Sequence, residues 1–202
     1  FIRKCGAIPS FLGYGGFPAS ICSSINEQVV HGIPSSKVVI KDGDIVSIDV
    51  GSIYKGYNGD AARTFMIGDV SEEKKQLVKV TEQSFFEGFK VLKAGVRLGD
   101  LGNAIQTYAE SFGYGVVRVM VGHGIGRDMH EDPEVPNYGK AGFGLRLKAG
   151  MTIAIEPMIN LGTPDVEILS DGWTCVTKDR KASAHYENTV VITDNGAEIL
   201  SL

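Results

Sequence analysis

The side chains with the most chemical potential fall in a few short segments. Asp49 in Ser-Ile-Asp-Val-Gly and Asp60 in Tyr-Asn-Gly-Asp-Ala-Ala-Arg-Thr stand 11 positions apart. They flank turn residues at Tyr54-Lys55-Gly56, so a symmetric hairpin would set them directly opposite each other with Cβ atoms about 4.5–5.5 Å apart. Two carboxylates that close repel, and both stay ionised only with a cation between them. Ile45, Val46, Ile48 and Val50 argue that the strand is buried, where unpaired acids are costlier still; the alternative is an ordinary solvated hairpin. His123 lies in Met-Val-Gly-His-Gly-Ile-Gly, where flanking glycines let a metal or substrate approach the backbone. Alone it would read as a structural histidine. However, the chain has four histidines, His31, His123, His130 and His185, and each lies in or beside a glycine-rich or carboxylate-bearing motif. Glu156 and Glu187 interrupt apolar, β-branched runs, where the competing reading is an edge-strand charge.

Asp49, Asp60, His123, Glu156 and Glu187 form an oxygen-rich set with one imidazole. That composition suits a pair of divalent first-row ions, from Mn, Fe, Co, Ni and Zn, and not a thiolate zinc finger. Carboxylates bridging two ions about 3.5–4 Å apart make a hydroxide available at neutral pH and clamp a tetrahedral intermediate, which is hydrolase chemistry. Competing motifs fail on spacing. Gly122-His-Gly124 runs on to Arg127, and Gly13-Tyr-Gly15 to Pro18, where a dinucleotide loop needs glycine; His130-Glu131 meets Glu134 where a zinc-protease helix needs histidine. There is no Gly-x-Ser-x-Gly, and no cysteine sits in a nucleophile context.

The elements that must position these groups follow from periodicity. Val38–Gly68 reads as a β-hairpin, and Ile21–Val30 is long enough for one strand or an entry turn. From Ser71, an N-cap with Glu72 and Glu73 behind it, Leu77, Phe85, Gly88 and Leu92 recur at helical spacing up to Ala94-Gly95. A second helix carries Leu98, Leu101, Ile105, Tyr108 and Phe112 on one face and stops at Gly113. Strand-like runs return at Gly115–Val121, Met151–Asn160, Val166–Leu169 and Tyr186–Thr193. The frame His-Gly-Ile, spacer, Lys-x-Gly-x-x-x-x-Ile-acid occurs twice, from His31 to Asp49 and from His123 to Glu156. It marks a duplicated unit, with each copy contributing a histidine and a carboxylate to a shared centre.

The 202 residues and net charge of −4 suit one catalytic domain, half one being 1–70 and half two 71–202, without the basic bias of a nucleic-acid binder. No apolar run reaches the roughly 18 residues of a membrane helix. Cys5, Cys22 and Cys175 cannot all pair with one another and lack Cys-x-x-Cys spacing, so free thiols and a cytoplasmic location are expected. Twenty-six glycines imply many turns or close backbone approaches.

Together these residues resemble the type I methionine aminopeptidases. The likeness is carried by Met120-Val-Gly-His-Gly-Ile-Gly-Arg-Asp-Met-His-Glu-Asp-Pro-Glu-Val-Pro-Asn137-Tyr138, with Ile-Ala-Ile-Glu-Pro-Met and His-Tyr-Glu-Asn-Thr-Val-Val-Ile-Thr-Asp-Asn-Gly, and it runs in order over essentially the whole chain. The resemblance implies a mixed α/β pita-bread fold, in which two pseudo-symmetric halves enclose a dinuclear metal site. It implies that Asp49 chelates one ion, His123 and Glu156 hold the other, and Asp60 and Glu187 bridge. Glu156 would also be general base for the attacking water. His130 and His31 would contact the scissile amide and stabilise the oxyanion. The implied substrate is a nascent peptide whose initiator methionine precedes a small residue, so transient ribosome contact is expected. No nucleic-acid or membrane partner is expected, and the protein should be a monomer. Tyr14, Phe17, Cys22 and Trp173 occupy positions matching the methionine pocket; for Tyr14 and Phe17 the alternative is plain core packing.

Phe11 and Met129 depart from the family at pocket positions, and His185 replaces a more usual amide beside Glu187. Two alternatives stay open: an X-Pro aminopeptidase or prolidase, which shares the fold and ligand set, and a binding module of the same fold that has lost its metals. The second half owns a helical pair over 72–113 that the first half lacks. By the symmetry of a duplication, about 40 residues of helix are expected before Phe1, with one sheet face under-covered and stability lowered, or a partner filling the gap.

Overall fold

The computed structural model describes residues 1–201. Its frame is an antiparallel sheet assembled from both halves of the chain. The first half supplies β1 (Ile8–Pro9), β2 (Cys22–Ile25), β3 (Gln28–Val30), β4 (Ile45–Tyr54) and β5 (Tyr57–Met66). The second supplies helices α1 (Glu72–Lys90) and α2 (Leu98–Glu110), then β6 (Gly115–Val116), β7 (Gly122–Gly124), β8 (Glu131–Val135), β9 (Thr152–Ile155) and β10 (Met158–Asn160). After these come β11 (Val166–Ile168), β12 (Cys175–Thr177), β13 (Ser183–His185), β14 (Glu187–Ile192) and β15 (Ala197–Ile199). The large sheet has the order β1-β4-β5-β14-β9-β7-β8, with β2 also on β4 and β15 also on β14. Two smaller sheets, β13-β10-β6 and β11-β12-β3, complete the β-structure.

The β4–β5 hairpin corrects one detail of the sequence reading. Lys55 and Gly56 both have positive φ (50° and 83°), as a two-residue hairpin turn demands, and Tyr54 pairs with Tyr57. Asp49 therefore faces Ala62, and Asp60 faces Gly51, so the two acids are diagonal neighbours rather than directly opposed. The register moves by an even number of residues, and Asp60 accordingly stays on the same face as Asp49.

Several element boundaries also differ from the periodicity. Ile21–Val30 forms two strands around Asn26, whose φ is 50°. Of the run Gly115–Val121 only Gly115–Val116 is a strand, and the next strand, Gly122–Gly124, begins just past it. Met151–Asn160 divides at Glu156-Pro157 because Pro157 has no N–H for the ladder, and β9 and β10 enter different sheets. α1 begins behind Ser71, whose Oγ accepts from the Lys74 N–H at 3.5 Å, and ends at Lys90, so Leu92 is buried just beyond it. α2 ends at Glu110; Phe112 lies outside the helix and is exposed.

The helices bury Phe85, Leu101 and Ile105 against Ile153, Ile155, Val190 and Ile192 of β9 and β14. They approach closely at Gly88, where a Cβ would collide with Leu101 and Ile105. Leu77 and Ala109 pack with Ile45, Val116, Ile159 and Ala184 in a second cluster. On the β4–β5 face turned away from Asp49 and Asp60, Ile48, Val50 and Ala61 are only half-buried and line an open groove with Leu200. No helix among the described residues is long and apolar enough to cross a membrane. Cys5, Cys22 and Cys175 are free thiols.

Candidate metal centre

The sheet order places β5 and β14 side by side at the middle, with β4 and β9 outside them. This is the symmetry the internal repeat implies: an inner strand from each half, flanked by an outer one. Asp49 pairs with Ala62, which pairs with Glu187, so one row across three strands has a carboxylate at each end and a methyl between them. One step along β14, on the same face, Thr189 pairs with Ala154, which pairs with His123. Ala62 and Ala154 are fully buried, and their small side chains leave the space that the acids and the imidazole converge on. A Cβ on Gly122 would strike the Ala154 carbonyl, so glycine there sets how closely β7 approaches β9.

Asp60 is fixed through its backbone. Its N–H donates to Thr189 Oγ1 at 2.9 Å, the Thr189 hydroxyl reaches the Asp60 carbonyl at 3.1 Å, and its own Oδ1 accepts from the Ala61 N–H at 3.0 Å. Glu156 sits at the break after β9, held by Asn137 Nδ2 donating to its carbonyl at 3.0 Å. Thr189 and Asn137 were not singled out by residue type. The available signal was a polar residue within an apolar run for Thr189, and membership of the His123 signature for Asn137.

His123 Nε2 lies 3.6 Å from Glu156 Oε1, and its Nδ1 is 2.8 Å from the Gly124 carbonyl. Asp60, His123 and Glu187 each present a ligand atom within 4.8 Å of the others, and so do Asp49, His185 and Glu187. Asp49 Oδ1, Glu187 Oε1 and His185 Nε2 are buried without any hydrogen-bond partner. Burial raises the carboxyl groups of Asp49, Glu156 and Glu187 well above their usual range, with neighbouring carboxylates adding to the effect, and brings Asp60 up to about 7. The same burial lowers His123 to about 4 and His185 to about 3, leaving neutral rings with a free lone pair. Converging acids, orphaned oxygens and neutral imidazoles fit a divalent-cation site: a cation removes the repulsion and satisfies the orphans.

Asp49, Asp60, His123, Glu156 and Glu187 form the floor of a cavity of about 130 Å³. Phe11, Phe17, Cys22 and Met129 form a buried apolar cluster on its wall, with Trp173 set edge-on to Phe17 at 5.2 Å between ring centroids. A Cβ on Gly51 would overlap the Phe11 ring, which ties that wall to the β4 strand carrying Asp49. His31, Tyr14 and His130 complete the lining. His130 Nδ1 is 2.8 Å from the Tyr14 hydroxyl, and its ring centroid is 4.2 Å from that of His123. Burial lowers the pKa of both His31 and His130, and His130 lowers that of His31 further. Burial also raises the Cys22 thiol far above its ordinary value, so it is an apolar wall group. All the residues singled out in the sequence for metal, catalytic or substrate roles thus line one cavity.

A curled sheet of two related halves around such a cluster defines a class, the metallopeptidases, and residues 2–194 match family M24 of that class. The chain is 62% identical over 202 residues to methionine aminopeptidase of Clostridium acetobutylicum, covering all of this chain and 81% of that protein. The crystal structure of methionine aminopeptidase from Thermotoga maritima superposes with a TM-score of 0.97 at 50% identity, covering 99% of this chain and 80% of that one. Prolidase from Pyrococcus furiosus is more distant, with a TM-score of 0.69 at 27% identity, covering 89% of this chain and 48% of that one. The chain belongs to metallopeptidase family M24, on its methionine aminopeptidase branch. Its fold is the pita-bread fold.

Proposed function

We propose that the chain is a metal-dependent exopeptidase that removes the initiator methionine from peptides with a small second residue. The observation that carries this reading is one cavity with a carboxylate-imidazole floor and an apolar, aromatic wall. Asp49 would hold one divalent ion, His123 and Glu156 the other, and Asp60 and Glu187, from the paired central strands, would bridge them. The ions would come from the Mn, Fe, Co, Ni and Zn group and would supply Lewis acidity and an acidified water.

The chain's own residues do the rest. Phe11, Phe17, Cys22, Met129 and Trp173 would exclude water around the methionine side chain, which suits their soft apolar surface. Glu156, with one oxygen facing His123, would take the proton of the attacking water and return it to the leaving amine. His130, oriented through Nδ1 by Tyr14, would present Nε2 to the scissile amide, with His31 beside it stabilising the developing oxyanion. We further infer a monomer acting in the cytoplasm on nascent chains near the ribosome. The free thiols support the compartment.

The likeness to prolidase favours a second reading, cleavage of X-Pro dipeptides. Incubation of metal-loaded protein with Met-Ala-Ser, Met-Leu-Ser and an X-Pro dipeptide separates them. Methionine release confined to Met-Ala-Ser is expected; preferential X-Pro cleavage would replace the reading.

A further inference from the structure

His185 has no role in the mechanism above, yet it is buried at the metal centre with an unpartnered nitrogen. It closes β13 of a small sheet, where it pairs with Met158, while Glu187 opens β14 of the large sheet. The chain changes sheet at Tyr186 alone, so His185 and Glu187 come from different sheets and still present ligand atoms within 4.8 Å of each other and of Asp49. Its backbone is clamped by Thr64: the His185 N–H donates to Thr64 Oγ1 at 2.9 Å, and the Thr64 hydroxyl is 2.9 Å from the His185 carbonyl.

The two imidazoles are placed alike. His123 Nε2 stands 3.6 Å from one oxygen of Glu156, and His185 Nε2 stands 3.7 Å from the other. His185 Nε2 is 3.9 Å from Glu187 Oε2. These separations are too long for hydrogen bonds. The His123–Glu156 and His185–Glu187 separations each suit two ligand atoms about 2.0–2.2 Å from one ion, while Glu156 stands between the two imidazoles. The cluster of Asp49, His185 and Glu187 matches that of Asp60, His123 and Glu187 in composition, and Glu187 belongs to both.

We propose that His185 Nε2 is a nitrogen ligand of the ion on the Asp49 side, so that each ion of the pair has one imidazole. This rests on the dinuclear reading above. It resolves three orphaned atoms at once, Asp49 Oδ1, Glu187 Oε1 and His185 Nε2. An added nitrogen also moves that site's preference away from Mn towards Co, Ni and Zn.

The test is cobalt titration of the metal-free full chain, followed by X-ray absorption of the two-ion form, for wild type and His185→Gln. Wild type should show on average about one imidazole per cobalt, and the variant about half. In the variant one binding constant should weaken by more than the roughly 10–100-fold typical of an outer-shell change, with the other nearly unmoved. An average of half an imidazole in wild type, readable even if the variant does not fold, overturns the proposal. So does an imidazole count that His185→Gln leaves unchanged. Failure of wild type to bind cobalt at either site would overturn the dinuclear reading itself, an outcome distinct from the others.

Discussion

Replacing Asp60 by Asn should make the metal-free chain more stable and the metal-loaded chain less so. Asp60 is buried, and in the absence of metal its carboxyl is raised from 3.8 to about 7. The folded chain thus keeps this proton at pH values where the unfolded chain has released it. The associated stability is full below about pH 4 and is lost as pH rises through 7. At about 1.4 kcal/mol per pKa unit the loss is roughly 4 kcal/mol at pH 8. Asn is a neutral isostere whose oxygen can still accept from the Ala61 N–H, and it has nothing to lose over that range. Metal-free Asp60→Asn should therefore match wild type near pH 4 and exceed it by up to about 4 kcal/mol at pH 8. Saturating Mn²⁺ reverses the order, because ligand at about 100 times its Kd adds roughly 2.7 kcal/mol per site, about 5 kcal/mol for two ions, to the wild type and little to a variant lacking the bridging carboxylate. Urea denaturation of both proteins at a series of pH values, in chelator and in Mn²⁺, measures this. Metal-free Asp60→Asn no more stable than wild type at pH 8, or equal stabilisation of the two by Mn²⁺, would refute the reasoning.

Other perturbations separate the roles. Glu156→Gln should lower kcat by about 10²–10⁴-fold, the usual range for a general base, while retaining more metal than activity; parallel loss of both, by elemental analysis and peptide assay, would count against the base role. His130→Ala should lower kcat by roughly 10²–10³-fold with metal content unchanged, and Tyr14→Phe should show a smaller loss in the same direction. Trp173→Ala opens the wall against Phe17 and should raise KM for Met-Ala-Ser about tenfold with a smaller change in kcat, as loss of uniform binding does.

Much of the site was legible because strand parity and an internal repeat carry information over long separations. Asp49 and Asp60 share a face in either register, so the inference about their environment tolerated a hairpin turn displaced to Lys55-Gly56. The His-Gly-Ile repeat implied paired halves, and β4, β5, β14 and β9 are arranged that way. Short-range patterns were less informative where backbone constraints override side-chain alternation. Pro157 split one apparent strand between two sheets, and α2 ended three residues before the glycine that marked its stop. The surroundings of His185, a residue visible beside Glu187, and of Thr189 are hidden for a different reason. Their neighbours are brought in by the sheet switch at Tyr186 and by the β5–β14 junction, and neither is visible in local spacing.

The central claim is tested most directly by measuring metal content and peptide cleavage on one preparation. The chain stripped by chelator should release no methionine from Met-Ala-Ser, and activity should return as divalent metal is restored, saturating near two ions per chain. Met-Leu-Ser should remain uncut throughout. Methionine release that persists in the stripped chain, or a fully loaded chain that leaves Met-Ala-Ser intact, would contradict the account.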